Sequence, residues 1–281
     1  MDHTSTPPSA PQKEKAARFR TLHAGPGAFV IPNAWDALSA RVLAGLGFQA
    51  LATSSAAAAA VIGLRDHGLT REQALAHARM ILEATDLPVS ADLEKGFGDA
   101  PEAVAETVRL AAEAGLAGCT IEDSTGNPDH PLYDDRLAAE RIAAAAEAAR
   151  ALPFPFILTA RAHNFLYAAA SLDDTIRRLQ SFEKAGADVL FAPGLSDVAS
   201  VRAVCSALTK PFNFMVGIKG KSFSVDELVA AGVRRISLAT SLYRAAMTGL
   251  IEAAREVKDM GQFGFLDRCL TTAELNELMR I

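Results

Sequence analysis

Leu87-Pro88-Val89-Ser90-Ala91-Asp92-Leu93-Glu94-Lys95-Gly96-Phe97-Gly98-Asp99 reads as a short buried strand, entered through a proline, that runs into two acids and a glycine turn. Side chains two apart on a strand share a face. Asp92 and Glu94 are therefore expected to point the same way, where the apolar Val89 and Ala91 stop. Two like charges held together call for a cation. Carboxylates without a nearby Cys or His ligand suit Mg²⁺ or Mn²⁺ better than zinc. Gly96 and Gly98 allow a sharp turn or a close approach to a ligand. A strand that ends in chemistry, followed by a helical stretch, is the unit of a parallel βα fold.

The same grammar recurs along the chain. Eight short apolar runs bounded by Gly or Pro are predicted as strands: Ala28–Asn33, Ala50–Ser54, Val89–Glu94, Gly118–Asp123, Phe156–Arg161, Val189–Pro193, Phe212–Val216 and Ile236–Ala239. Between them lie segments of helical period, among them 71–85, 101–114, 135–152, 172–185, 196–208 and 224–231. The second, fourth, sixth and eighth strands are entered through a Gly at a helix end (Gly45 or Gly47, Gly115, Gly186, Gly232). The third, fifth and seventh are entered through Pro88, Pro155 and Pro211. Both residues stop helices, and their alternation predicts a closed barrel of paired βα units. An open doubly wound sheet is the alternative, but it often carries a glycine phosphate loop after its first strand, where this chain has Asn33-Ala34-Trp35-Asp36. Thr70 before Arg71-Glu72-Gln73 and Ser224 before Val225-Asp226-Glu227 read as capping boxes.

At 281 residues and 50% hydrophobic composition, the chain has material for one large domain, expected over residues 16–281. Residues 1–15, rich in Pro, Ser and charge, read as a disordered leader without a signal-peptide core. A net charge of −5 with no basic run argues against nucleic acid or an anionic membrane as partner. No apolar run reaches the ~18 residues of a membrane span. Cys119, Cys205 and Cys269, scattered and odd in number, favour reduced thiols in a cytoplasmic protein. After the helical run 242–260, Gly261-Gln262-Phe263-Gly264-Phe265 forms an aromatic, glycine-flanked joint before a last helix at Thr271–Met279. That joint could swing the helix onto another subunit.

In a parallel βα barrel the active site lies at the carboxyl ends of the strands. The polar residues collect there: Thr53-Ser54-Ser55 on the second strand, Asp92 and Glu94 on the third, Glu122-Asp123-Ser124 on the fourth, Arg161 with His163-Asn164 on the fifth, and Asn213 on the seventh. Asp66, in the loop beyond the second strand, adds another acid. The set Pro32-Asn33-Ala34-Trp35-Asp36, Gly63-Leu64-Arg65-Asp66, Asp92 to Gly98, Ile121-Glu122-Asp123 and Thr159-Ala160-Arg161 resembles the isocitrate lyase and phosphoenolpyruvate mutase superfamily over roughly residues 19–260. The resemblance implies a (β/α)₈ TIM barrel that exchanges its last helix with a neighbour in homodimers or homotetramers. It implies Mg²⁺ or Mn²⁺ on Asp92, with Glu94, Asp66 and Glu122 holding the water shell. It places Ser54 and Ser55 at the substrate carboxylate, and Arg161 at the 2-oxo acid or enolate. Asn213 is a further contact, and Trp35 a wall of the barrel mouth.

One loop departs from that pattern. Lyases of the superfamily carry a Lys-Lys/Arg-Cys-Gly-His motif after the fourth strand, and this chain has Ser124-Thr125-Gly126-Asn127-Pro128-Asp129-His130-Pro131-Leu132-Tyr133. Arg161, Glu122 and His130 are the candidate catalytic groups, with His163 beside them. The expected chemistry is metal-dependent cleavage of a carbon–carbon bond next to a 2-oxo or 2-hydroxy (dicarboxylic) acid, through an enolate and in the manner of a decarboxylase. Phosphonopyruvate-type phosphorus–carbon chemistry and a non-catalytic 2-oxo acid binder are the alternatives.

Overall fold

The computed structural model describes residues 10–167 and 171–278. Eight parallel strands form one sheet in the order β1-β8-β7-β6-β5-β4-β3-β2. They are Phe29–Ile31, Leu51–Ala52, Val89–Asp92, Gly118–Glu122, Ile157–Arg161, Val189–Phe191, Phe212–Met215 and Arg235–Ser237, numbered β1 to β8. Each of the eight predicted strands is present, shorter than its apolar run, because ladder pairing stops where the chain peels away into the loops at the barrel ends. The ring closes between β1 and β2 without a regular ladder. There the Ala34 N–H donates to the Ala52 carbonyl and the Ala52 N–H to the Pro32 carbonyl, both at 2.9 Å. The Asn33 side chain stitches the same seam, donating to the Thr53 carbonyl at 2.7 Å and accepting from the Leu238 N–H at 3.0 Å.

The helices are α1 (Ala10–Ala24), α2 (Ala37–Gly45), α3 (Ser55–Val61), α4 (Arg71–Glu83), α5 (Pro101–Glu113), α6 (Asp135–Arg150), α7 (Leu172–Ala185), α8 (Val198–Ser206), α9 (Val225–Ala230), α10 (Ser241–Arg255) and α11 (Thr272–Leu278). Both predicted capping boxes form: Thr70 with Gln73 and Ser224 with Glu227 each satisfy two otherwise free backbone donors. Helix α7 ends on Gly186 at φ 106°, a conformation that a side chain would strain, and the chain turns there into β6. Small buried residues such as Ala78, Ala111 and Ala145 let the outer helices approach the strands closely.

Helix α1 begins at Ala10, inside the stretch expected to be a leader; residues 1–9 lie outside the described residues. It closes the amino-terminal end of the barrel. Phe19 is fully buried there, Gln12 donates to the Ala112 carbonyl at 2.6 Å and Lys15 to the Thr85 carbonyl at 3.0 Å, which satisfies free carbonyls at helix ends. His23, against Phe19 and Phe29, is buried with it.

At the other end of the chain, α10 buries none of its residues. Leu250, Ile251, Val257, Met260, Phe263, Leu266 and Leu270 stand 39–62% exposed along it and beyond. Helix α11 returns to its own barrel, with the Leu278 carbonyl packed beside Gly45 of α2. No described helix is long and apolar enough to cross a membrane.

Candidate active site

A cavity of about 310 Å³ opens at the carboxyl ends of the strands. Ser54, Ser55, Asp66, Asp92, Glu122, Arg161 and His163 line it, with Phe191 and Met215 as apolar wall. Strand alternation places them: Asp92 lies two residues beyond Ser90 on β3, Glu122 two beyond Thr120 on β4, and all four face the cavity.

Arg161 is the hub. Its guanidinium lies 3.3 Å from Glu122 and 3.9 Å from Asp92, over the Phe191 ring at 5.1 Å, and it donates to His163 Nε2 at 3.2 Å. A guanidinium can only donate, so the neutral ring of His163 carries its proton on Nδ1, which lies 3.3 Å from Glu122. Burial opposes ionisation of Glu122, yet Arg161 and His163 outweigh it and hold the carboxyl at about 2. Asp92 is different: burial raises its pKa, and Arg161 only partly offsets that. Asp123, next in sequence, faces away from this centre. It accepts from the His163 N–H at 2.7 Å and pairs with Arg178 at 3.2 Å, so it fixes the loop that carries His163.

The acids form an arc. The Ser55 N–H and hydroxyl donate to Asp92 at 3.3 and 3.2 Å, and the same hydroxyl lies 3.2 Å from Asp66. The Glu94 N–H donates to Asp92 at 3.3 Å. Asp92 and Glu94 do meet, though not by sharing a strand face as the sequence predicts. Strand β3 stops at Asp92, and Glu94 sits at φ 50°, in the left-handed region, so a turn rather than the pleat brings it round. Glu94 lines a shallower cleft beside the cavity, shared with His67.

His67 is a site residue that the sequence reading misses. It follows Asp66 at φ 61°, with Nδ1 3.4 Å from Glu94, and this contact raises its pKa to about 9. Ligand atoms of Asp66, His67 and Glu94 lie within 4.8 Å of one another. The residues fit a divalent cation: Glu94 Oε1 and Glu122 Oε1 are buried without a hydrogen-bond partner, and both belong to the expected ligand set. Oxygen-dominated ligation suits Mg²⁺ or Mn²⁺, and His67 Nδ1 is a nitrogen that the expected set lacks.

Four predicted site residues fall elsewhere or are already engaged. His130 is exposed on a hairpin tied by the Thr125 N–H to the Pro131 carbonyl, and it does not line the cavity. Trp35 stands outside the lining, edge-on to Tyr243 at 5.7 Å. Asn213 is fully buried one step behind the lining, donating to Ser237 at 3.0 Å. Ser54 lines the cavity, but its hydroxyl caps α3. In the opposite sense, Arg235 of β8 and Arg244 of α10 line the cavity without having been picked out, since neither stands at a predicted strand end.

The comparisons with known proteins agree with this geometry. The family model described as phosphoenolpyruvate phosphomutase matches residues 19–258. A Corynebacterium glutamicum protein named "Probable 2-methylisocitrate lyase 1" is 33% identical over 93% of this chain and 88% of its own. The oxaloacetate decarboxylase of Bradyrhizobium diazoefficiens is 31% identical over 80% of this chain and 78% of its own. A crystal structure from Burkholderia cenocepacia, described only as a lyase/mutase, superposes with a TM-score of 0.95 at 49% identity, covering 97% of this chain and 98% of that one. The (β/α)₈ barrel, the arc of acids around Arg161 and these matches lead to one assignment: the chain belongs to the phosphoenolpyruvate mutase family, within the isocitrate lyase and phosphoenolpyruvate mutase superfamily.

Proposed function

We propose that the protein is a divalent-cation-dependent lyase that cleaves a carbon–carbon bond beside a 2-oxo or 2-hydroxy carboxylic acid through an enolate, in the manner of a decarboxylase. The observation that carries this reading is Arg161, half-buried between Asp92 and Glu122 at the cavity wall, where Glu122 Oε1 lacks a hydrogen-bond partner. Asp92, with Asp66, Glu94 and Glu122 around it, would hold Mg²⁺ or Mn²⁺, which when bound supplies electrophilic stabilisation of a developing oxyanion. Arg161 points its donors at the same place and needs no reorganisation when charge develops there. Ser54 and Ser55 form the wall on which the substrate carboxylate rests. Phe191 and Met215 keep the opposite wall dry. The enolate takes its proton from water, because His130 does not line the cavity and His163 holds its proton toward Glu122.

Relatives are named for both 2-methylisocitrate and oxaloacetate, and the loop after β4 separates the two readings. None of residues 125–133 lines the cavity, and the loop holds neither Lys nor Cys. Substrates whose leaving fragment needs little acid help are therefore favoured, such as a 2-oxo dicarboxylic acid losing carbon dioxide. Steady-state assays of oxaloacetate, 2-methylisocitrate, malate derivatives and phosphonopyruvate with Mg²⁺ test this. We expect turnover of oxaloacetate, negligible turnover of 2-methylisocitrate, and a loss of about 10²–10³ in rate for Arg161→Ala. Asp92→Ala should abolish metal-dependent oxalate binding by calorimetry, and His130→Ala should cost little. A preference for 2-methylisocitrate, or an Arg161→Ala enzyme of near-normal rate, would overturn the reading.

A further inference from the structure

One pleat below the acids, the barrel interior is polar where such barrels are ordinarily filled by branched apolar side chains. Ser90, Thr120, Thr159, Asn213 and Arg235 come from five strands and are all buried. Arg235 reaches across the barrel from β8 to β5, where it donates to the Thr159 hydroxyl at 2.9 Å. That is its one hydrogen bond among the described residues; its Nε has no partner, and no carboxylate pairs with it. Burial alone lowers its pKa, to about 10, so it remains charged at neutral pH. The titratable group facing it from α1, His23, is driven neutral, first by burial and then by Arg235 itself. An uncompensated buried guanidinium is a large cost that a folded core ordinarily avoids. Here the charge is not sealed in, because Arg235, Ser90 and Thr120 all line the floor of the cavity described above. Ser90 Oγ likewise has no partner.

We infer that Arg235, with the Ser90 and Thr120 hydroxyls, forms an anion subsite at the floor of the barrel, separate from the Arg161 centre, that takes a carboxylate-sized monoanion. The guanidinium fork matches two carboxylate oxygens, and the hydroxyls offer further donors to the same group. The occupant is either a carboxylate of the bound substrate or a small free anion. The subsite does not depend on which bond the enzyme breaks.

The test is thermal unfolding of the full-length, metal-free protein in formate against gluconate at equal ionic strength, gluconate carrying the same charge on a far larger ion. Formate at tenfold excess over its Kd should raise the wild-type midpoint by about 2–3 °C. The rise should persist in Arg161→Met, disappear in Arg235→Met, and shrink in Ser90→Ala, which keeps the charge and guards against a variant that fails to fold. Oxalate with Mg²⁺ then separates the sources: loss of the formate response identifies the substrate carboxylate as occupant, and an additive response identifies a free anion. No difference between formate and gluconate in the wild type, or an undiminished response in both Arg235→Met and Ser90→Ala, would overturn the inference.

Discussion

Arg141 does not line the cavity, yet it holds the stretch that carries Glu94. It is 1% exposed on α6, and its guanidinium donates to the backbone carbonyls of Lys95, Gly98 and Asp99 while lying 4.1 Å over the Tyr133 ring. Glu94 keeps its left-handed turn because the next residues are fixed in this way. Supporting residues of metal ligands typically account for 10–100-fold in affinity. Arg141→Met, which retains the volume and removes the donors, should therefore weaken Mg²⁺ binding by about that factor by calorimetry, with every ligand intact. His23 bears on stability instead. Burial, reinforced by Arg235, lowers its pKa from 6.5 to about 3. The fold holds the neutral ring, so nothing is lost above pH 6.5. Below that the unfolded chain takes up a proton that the folded chain refuses, and stability falls by up to about 1.4 kcal/mol per pH unit toward pH 3. Urea titrations at pH 7 and pH 5 should show His23→Phe losing less stability on acidification than the wild type. Equal losses would contradict the assignment.

At the scale of elements, the seam between β1 and β2 carries the most risk for its size. The Asn33 amide donates to the Thr53 carbonyl and accepts from the Leu238 N–H at once, which neither an apolar nor a carboxylate side chain can do. Asn33→Leu should cost about 2–4 kcal/mol, since two buried backbone groups lose their partner, and Asn33→Asp should do no better, because it buries a charge against a carbonyl. Denaturant unfolding of both variants checks this. The same seam shows which features a linear sequence displays. The strands were legible from Gly and Pro punctuation, and Asp92, Glu122 and Arg161 from polarity at strand ends, because those signals are local. Asn33 was visible as a residue but not as a closure, since its partner Leu238 lies 205 positions away. His67 escaped because its ring comes to Glu94 only through a left-handed backbone that no periodicity announces. Arg235 escaped because the sequence places its strand one residue later, beginning at Ile236, and leaves the arginine in the preceding turn.

For the whole molecule, α10 with its exposed Leu250 and Ile251 gives the reason to expect a homodimer or homotetramer, since apolar patches of this kind mark association surfaces. Light scattering should report an oligomer for the intact chain. Ile251→Asp or removal of residues 266–281 should weaken it, and the wild-type unfolding temperature should rise with protein concentration. A monomer at micromolar concentration would remove the basis for that expectation. The Asn33 seam has a kinetic side as well. A ring held at one joint by a side-chain amide and two backbone bonds is expected to open there first, and amide exchange measures local opening of that kind. The joint adjoins Thr53, whose hydroxyl accepts from the Asp92 N–H at 3.0 Å, so an opening of the ring would loosen the acid proposed to hold the metal. An occupant on Asp92 is therefore expected to slow amide exchange at Ala34 and Ala52, the two backbone donors of the joint.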